Sequence, residues 1–198
     1  MCAFDVASHG LFIKGRVMKK ITFVVVVFTA LAGCSLKLAQ NPDEFREYVK
    51  VSDSARVVHE SYEVSSSLST ITKRLQDKSK ECLPYRFVRQ FSYKMGAATG
   101  ANTSYITYAP TLKKAEGRTE FYMQVDVTGD VTVLGNPPEG GTYVLVADIA
   151  KITKNSSQVD IYHASHNDRA VLPKTIKKWI AGDEKDCPDL KVDMESNF

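Results

Sequence analysis

The chain has 198 residues and a formal charge of +3. Of its 26 Lys and Arg and 23 Asp and Glu, only Lys14, Arg16, Lys19, Lys20 and Asp5 precede Cys34, which leaves 22 of each sign. From Cys34 onward the chain is therefore neutral, large enough to bury one ordinary core, and without the electrostatic footprint of a nucleic-acid-binding protein.

The first element in chain order is "MKKITFVVVVFTALAGCS", residues 18–35. Lys19 and Lys20, an uncharged run from Ile21 to Leu31, and small Ala32 and Gly33 before Cys34 follow the order of a secretory signal. The apolar run is far short of the roughly 20 residues a membrane span needs, and a buried strand leaves both the lysines and Ala-Gly-Cys unexplained. Translation is expected to start at Met18, with residues 1–17 upstream of the true start. Leu31-Ala32-Gly33-Cys34 resembles the lipobox of bacterial lipoprotein precursors. The resemblance implies cleavage after residue 33, diacylglycerol on the Cys34 thiol and acylation (palmitate) of its amino group. Several acyl chains on one residue give lasting attachment where one does not. Ser35 after the cysteine resembles the pattern of lipoproteins sorted to the outer membrane, and a periplasmic-facing position is expected.

Residues 34–55 read as a lipid-anchored tether with one short helix in "NPDEFREYVK", where Asn41 caps, Pro42 takes the first helical position, and Phe45, Tyr48 and Val49 share a face. Residues 56–190 read as a single α+β domain. Arg56–Val64 alternates as a strand, with Val58, Tyr62 and Val64 on one side. Leu68, Ile71, Leu75, Ser79 and Cys82 then recur at helical spacing behind Ser66 or Ser67, and Pro84 ends that helix. Alternating runs follow at 85–95, from "SYITYA" at Ser104, at 119–127 with Phe121, Met123, Val125 and Val127 inward, at 142–153 and at 158–164. A last helix opens at Leu172-Pro173, carries Leu172, Ile176, Trp179 and Ile180 on one stripe, and stops at Gly182. The expected architecture is an antiparallel sheet of about five strands with two helices packed on one face, in the order β-α-β-β-β-β-α. Residues 191–198 form a polar tail.

Cys82 and Cys187 remain once Cys2 is removed and Cys34 is acylated. In an exported, oxidising setting an even pair is expected to form a disulfide, with free thiols as the alternative. Residues 73–94 hold seven basic and two acidic side chains, and "DEKDCPDLKVDME" holds six acidic and two basic. The bridge would lay the acidic tail against the basic helix.

The sites that can be drawn from motifs are weak. His163 and His166 in "HASH" lack a third ligand and read as solvated loop histidines, so neither metal nor cofactor is expected. His59 stands alone in a strand. "VSSSLST" lacks the flanking glycines of a nucleophile elbow, and "GAATGAN" and "GNPPEGG" lack the ending of a phosphate loop. Asp126, Asp130, Asp148 and Asp160 lie in or beside strands, where a carboxylate pair is open. Arg86, Phe87, Arg89, Phe91 and Tyr93 read as a partly solvated strand rather than a nucleic-acid surface. No catalytic residue can be nominated, and no enzyme is expected.

A helix ending in Glu81-Cys82, the "GGTYVLVADIAKI" and "QVDIYHAS" strands and the closing "IKKWIAGDEKDCPDL" look like a family of small, uncharacterised proteobacterial lipoproteins. That resemblance implies the fold and the bridge, and no activity. Two functions fit an anchored envelope protein of this kind. One is a non-enzymatic module that binds an envelope protein partner through an aromatic patch at Tyr105, Tyr108, Tyr122 and Tyr162. The alternative is a carrier of a small apolar ligand or lipid, with a pocket between sheet and helices.

Overall fold

Period-two alternation builds a six-stranded antiparallel sheet, and the helices cover it from both sides. The computed structural model describes residues 38–51, 57–95, 98–129, 136–164, 171–183 and 187–190. In chain order the elements are α1 (Pro42–Val51), β1 (Val57–Val64), α2 (Leu68–Cys82), β2 (Tyr85–Met95), β3 (Ala98–Ala115), β4 (Arg118–Gly129), β5 (Thr142–Lys151), β6 (Ser157–Ala164) and α3 (Val171–Ala181). The strand order is β1-β6-β5-β4-β3-β2, antiparallel throughout.

The α+β class and the antiparallel sheet are as the alternation implies, but the strand count is six and not five. The segment that begins as "SYITYA" belongs to an 18-residue strand that pairs with β2 on one side and β4 on the other. Pro110 makes it look broken in sequence. It lies past Tyr108, where pairing to β2 stops, so no ladder bond to β2 is lost there.

One face of the sheet carries α2 and α3. Ile71 and Leu75 of α2 and Ile176 and Trp179 of α3 pack on Phe121, Leu145 and neighbouring inward residues, all fully or nearly fully buried. Ser67 Oγ accepts from the Thr70 N–H and starts α2. Thr72 of α2 is hydrogen-bonded through its hydroxyl to Thr119 of β4 at 2.7 Å, which fixes the helix over the sheet. The structure joins Cys82, at the end of α2, to Cys187 beyond α3. The Arg74 guanidinium donates to the Ile180 and Ala181 carbonyls at 2.9 and 3.0 Å and so caps α3. Gly182, at φ +89°, ends α3 under that guanidinium, where a Cβ would come within 2.7 Å of the Arg74 side chain.

The opposite face is not left to solvent. The helix that the sequence places in a tether, α1, packs Phe45 and Tyr48 on Tyr122, Tyr143, Val146 and Tyr162, and Ala39 before it is buried too. Two helices on one face thus becomes two on one face and one on the other. Asn41 caps α1, its Oδ1 accepting from the Glu44 N–H at 2.9 Å, and Glu44 answers by accepting from the Gln40 N–H at 3.1 Å.

Candidate functional site: the helix-covered face and the Arg46 clamp

Two polar constellations interrupt the apolar layers. The first joins α3 to the edge strand β1. Glu60 has the same parity on β1 as Val58 and Tyr62, so its carboxylate points toward the face under α2 and α3. It accepts a very short hydrogen bond from Lys177 Nζ of α3 and lies 3.2 Å from His163 Nε2 of β6. Lys177 above all, then His163, hold its carboxyl below the usual range against the opposing effect of burial. Glu60 is therefore a fixed anion between two donors. Tyr62, two residues along, is pushed up to about 12 by burial and by the charge of Glu60.

The covered face also holds unpaired donors. Among the described residues, Tyr62 Oη, Trp179 Nε1 and Ser104 Oγ are buried without a hydrogen-bond partner. Tyr62 and Trp179 belong to β1 and α3, the two elements that the Glu60–Lys177 pair ties together. Ser104, on β3, stands four strands from β1, roughly 19 Å at normal strand spacing.

The second constellation pins α1. Arg46 Nε and Nη2 donate to the two Asp148 oxygens at 2.7 and 2.8 Å, and Nη2 also makes a very short bond to Glu120. Nη1 donates to Asp43 at 2.6 Å, and Arg118 Nη2 donates to Asp148 at 2.6 Å. Burial disfavours the Arg46 charge, but the bonds and charges of Asp148 and Glu120 outweigh it, and its pKa is raised. Of the strand aspartates, Asp148 and Asp160 are directly opposite one another on β5 and β6, and Asp148 is also opposite Glu120 on β4. Glu120 and Asp148 together receive the Arg46 guanidinium.

The residues singled out in the sequence fall in several places. Cys34, His166 and Asp130 lie outside the described residues, as do the leader and residues 191–198. His163 is not a solvated loop histidine. It ends β6 with little exposure, its Nδ1 3.1 Å from the Ala164 carbonyl and its other nitrogen toward Glu60. His59 lies 3.1 Å from Asp160 and stacks on Tyr162 at 4.4 Å. Asp126 is exposed. Among the described residues, no group of three His, Cys, Asp or Glu side chains is placed to hold a metal ion.

The four-tyrosine patch is overturned. Tyr108 is in the core against Phe87, because residues 106 and 108 share one face while 105 takes the other. Tyr122 is buried and Tyr162 half-buried, both under α1. Only Tyr105 stays exposed, opposite exposed Val88 and under the Arg86 guanidinium at 5.0 Å.

Sequence reasoning missed Glu60, Lys177, Arg46 and the three unpaired donors. The available signal was parity: Glu60 sits between Val58 and Tyr62 on an inward-facing set, and a charge there calls for a partner.

No family model matches this chain, and no curated protein matches it. Solved structures resemble it, among them two with the following measures. A START superfamily protein from Mycobacterium smegmatis is 17% identical, with a TM-score of 0.29 over 64% of this chain and 87% of that one. Norcoclaurine synthase from Thalictrum flavum, in complex with dopamine and hydroxybenzaldehyde, is 15% identical, with a TM-score of 0.30 over 72% of this chain and 88% of that one.

Proposed function

We propose that this chain is a lipid-anchored envelope protein that binds a small apolar ligand between β1 and α3, and that it does so without catalysis. The observation that carries the reading is the pair of buried, unpaired donors on those elements, Tyr62 Oη and Trp179 Nε1. Buried polar groups nearly always have partners, and leaving one without costs about 1–3 kcal/mol. The indole can only donate, so the missing partner is an acceptor. Glu60 beside Tyr62 disfavours a second anion, which leaves a neutral acceptor such as an ester or amide carbonyl on an apolar body. The anchor itself rests on "LAGC" and on the Lys19-Lys20 and apolar run that precede it.

Trp179 is the chain's single tryptophan, so its fluorescence reports the site directly. Titration with a brominated acyl ester should quench it saturably, and brominated alkane of equal length should quench it less. Equal, non-saturable quenching by both would sink the reading. A second reading, docking of an envelope protein, is favoured by one observation, the exposed Val88–Tyr105 pair. Photocrosslinking from position 88 in cells tests it.

A further inference from the structure

The lipid anchor and the folded domain are separated by almost no chain. Cys34 is followed by Ser35, Leu36 and Lys37, and the next residues already belong to the packed structure: Ala39 is buried and Gln40 is held at both ends. Its Nε2 donates to the Leu38 carbonyl and to the Asn136 carbonyl, each at 3.0 Å, and its N–H donates to Glu44. Four Cα steps, fully extended, reach about 14 Å. Nor can α1 be paid out as extra tether, because Phe45 and the Arg46 clamp hold it to the sheet.

We propose, on the reading that Cys34 is acylated, that the end of the domain formed by Gln40 and residues 136–141 lies against the lipid headgroups. This end is firmly built. Gln124 Nε2 donates to the Glu139 and Gly141 carbonyls, each at 2.9 Å, and the Gly141 N–H donates to the Pro138 carbonyl at 3.0 Å. Among the described residues here, the charges are those of Asp43, Glu44 and Glu139, so the surface suits zwitterionic headgroups with outward ammonium groups rather than an anionic layer. The turn after β5, at Ile152–Ser156, is at the other end of a 10-residue strand, about 33 Å away.

The test uses full-length protein extracted from membranes, with intact mass first establishing acylation at Cys34. A fluorophore is placed at Glu139→Cys or at Asn155→Cys, and the protein is reconstituted into phosphatidylethanolamine–phosphatidylcholine vesicles containing a nitroxide-headgroup lipid. The label at 139 is expected to be quenched at least threefold more than the label at 155. A flexible 20-residue Gly/Ser insert after Leu36 is expected to abolish the difference. Equal quenching at the two positions in acylated protein, or strong quenching at 139 that survives the insert, overturns the proposal while the anchor stands. An unacylated Cys34 overturns the anchor and the proposal together.

Discussion

Arg46→Met removes the guanidinium that fastens α1 while keeping a stem of similar length, so packing is largely preserved and the charges are what change. The Arg46 side chain is 11% exposed, and its partners Asp148 and Glu120 are 15% and 18% exposed, whereas Asp43 is 89% exposed. Only the first two pairs therefore carry weight. Removing one member of a largely buried set costs about 3–5 kcal/mol, because the remaining charge is left without compensation. Here two carboxylates on neighbouring strands would be left facing each other. Arg118 still donates to Asp148 at 2.6 Å and offsets part of this, which brings the expected loss to about 2–4 kcal/mol. For a domain of this size that lowers the melting temperature by roughly 5–15 °C. Urea unfolding gives the free energy, and amide exchange at residues 46–48 shows whether α1 leaves the sheet first. Asp43→Ala is the control and should change stability by less than about 0.5 kcal/mol. If Arg46→Met and Asp43→Ala were equally harmless, α1 would not be clamped, and the short connection to the membrane would lose its premise.

Three further outcomes are expected. Replacing Cys82 and Cys187 by serine opens a loop with a sequence separation of 105 and should cost about 4–5 kcal/mol in urea unfolding; a loss below about 1 kcal/mol would mean that the reduced chain is already constrained there. Because Glu60 has a folded-state pKa below its unfolded value, its contribution is present above the usual glutamate pKa near 4.3 and fades as pH falls through the lower folded value. Lys177→Met should accordingly be destabilised at pH 7 and approach the parent only as pH falls through that lower folded value, and a pH-independent difference would count against the pair. Tyr62→Phe deletes a buried hydroxyl without a partner, so the ligand-free protein should gain about 1 kcal/mol while ester affinity, followed by Trp179 fluorescence, falls up to about tenfold. Loss of stability in Tyr62→Phe would show that the hydroxyl is satisfied in solution.

What the sequence disclosed, and what it hid, follows from how far each signal reaches along the chain. The alternation of Phe121, Met123 and Val125 and the stripe of Leu172, Ile176 and Trp179 are local patterns set by burial on one side, and both elements are where the pattern puts them. The docking of α1 was not legible, because "NPDEFREYVK" is mostly polar and its partners, Tyr122, Tyr143 and Tyr162, are supplied by three separate strands. Arg46 reads as one more surface charge until Glu120 and Asp148 are known to be cross-strand neighbours. Tyr105 and Tyr108 show a different failure. A shared patch needs both to face outward, but an odd spacing puts them on opposite faces, and only register assigns 108 to the core. The unpaired donors leave no trace in sequence at all, since a missing hydrogen bond is a property of surroundings.

Strand β5 shows why both faces of this sheet can be filled. In "TYVLVADIAK", Tyr143 and Val146 pack toward α1, while Val144, Leu145, Ala147 and Ile149 belong to the core under α2 and α3. Strict alternation cannot put both 143 and 146 on one side. The register with β4 shifts between Met123 and Gln124, which pair with Leu145 and Tyr143, so Val144 is the extra residue and the parity resets across it. That bulge lets one central strand supply large side chains to two cores, and it accounts for an uninterrupted apolar run in an antiparallel sheet, where one-sided burial would have alternated. The same shift sets Gln124 beside the Glu139 and Gly141 carbonyls, the loop that Gln40 also grips. Gly141, at φ +99°, has Val125 backbone oxygen 2.2 Å from where a Cβ would be, so no other residue fits that approach. One irregularity in register thus makes room for α1 and shapes the end of the domain that Gln40 grips, which ties that end to the packing of the sheet.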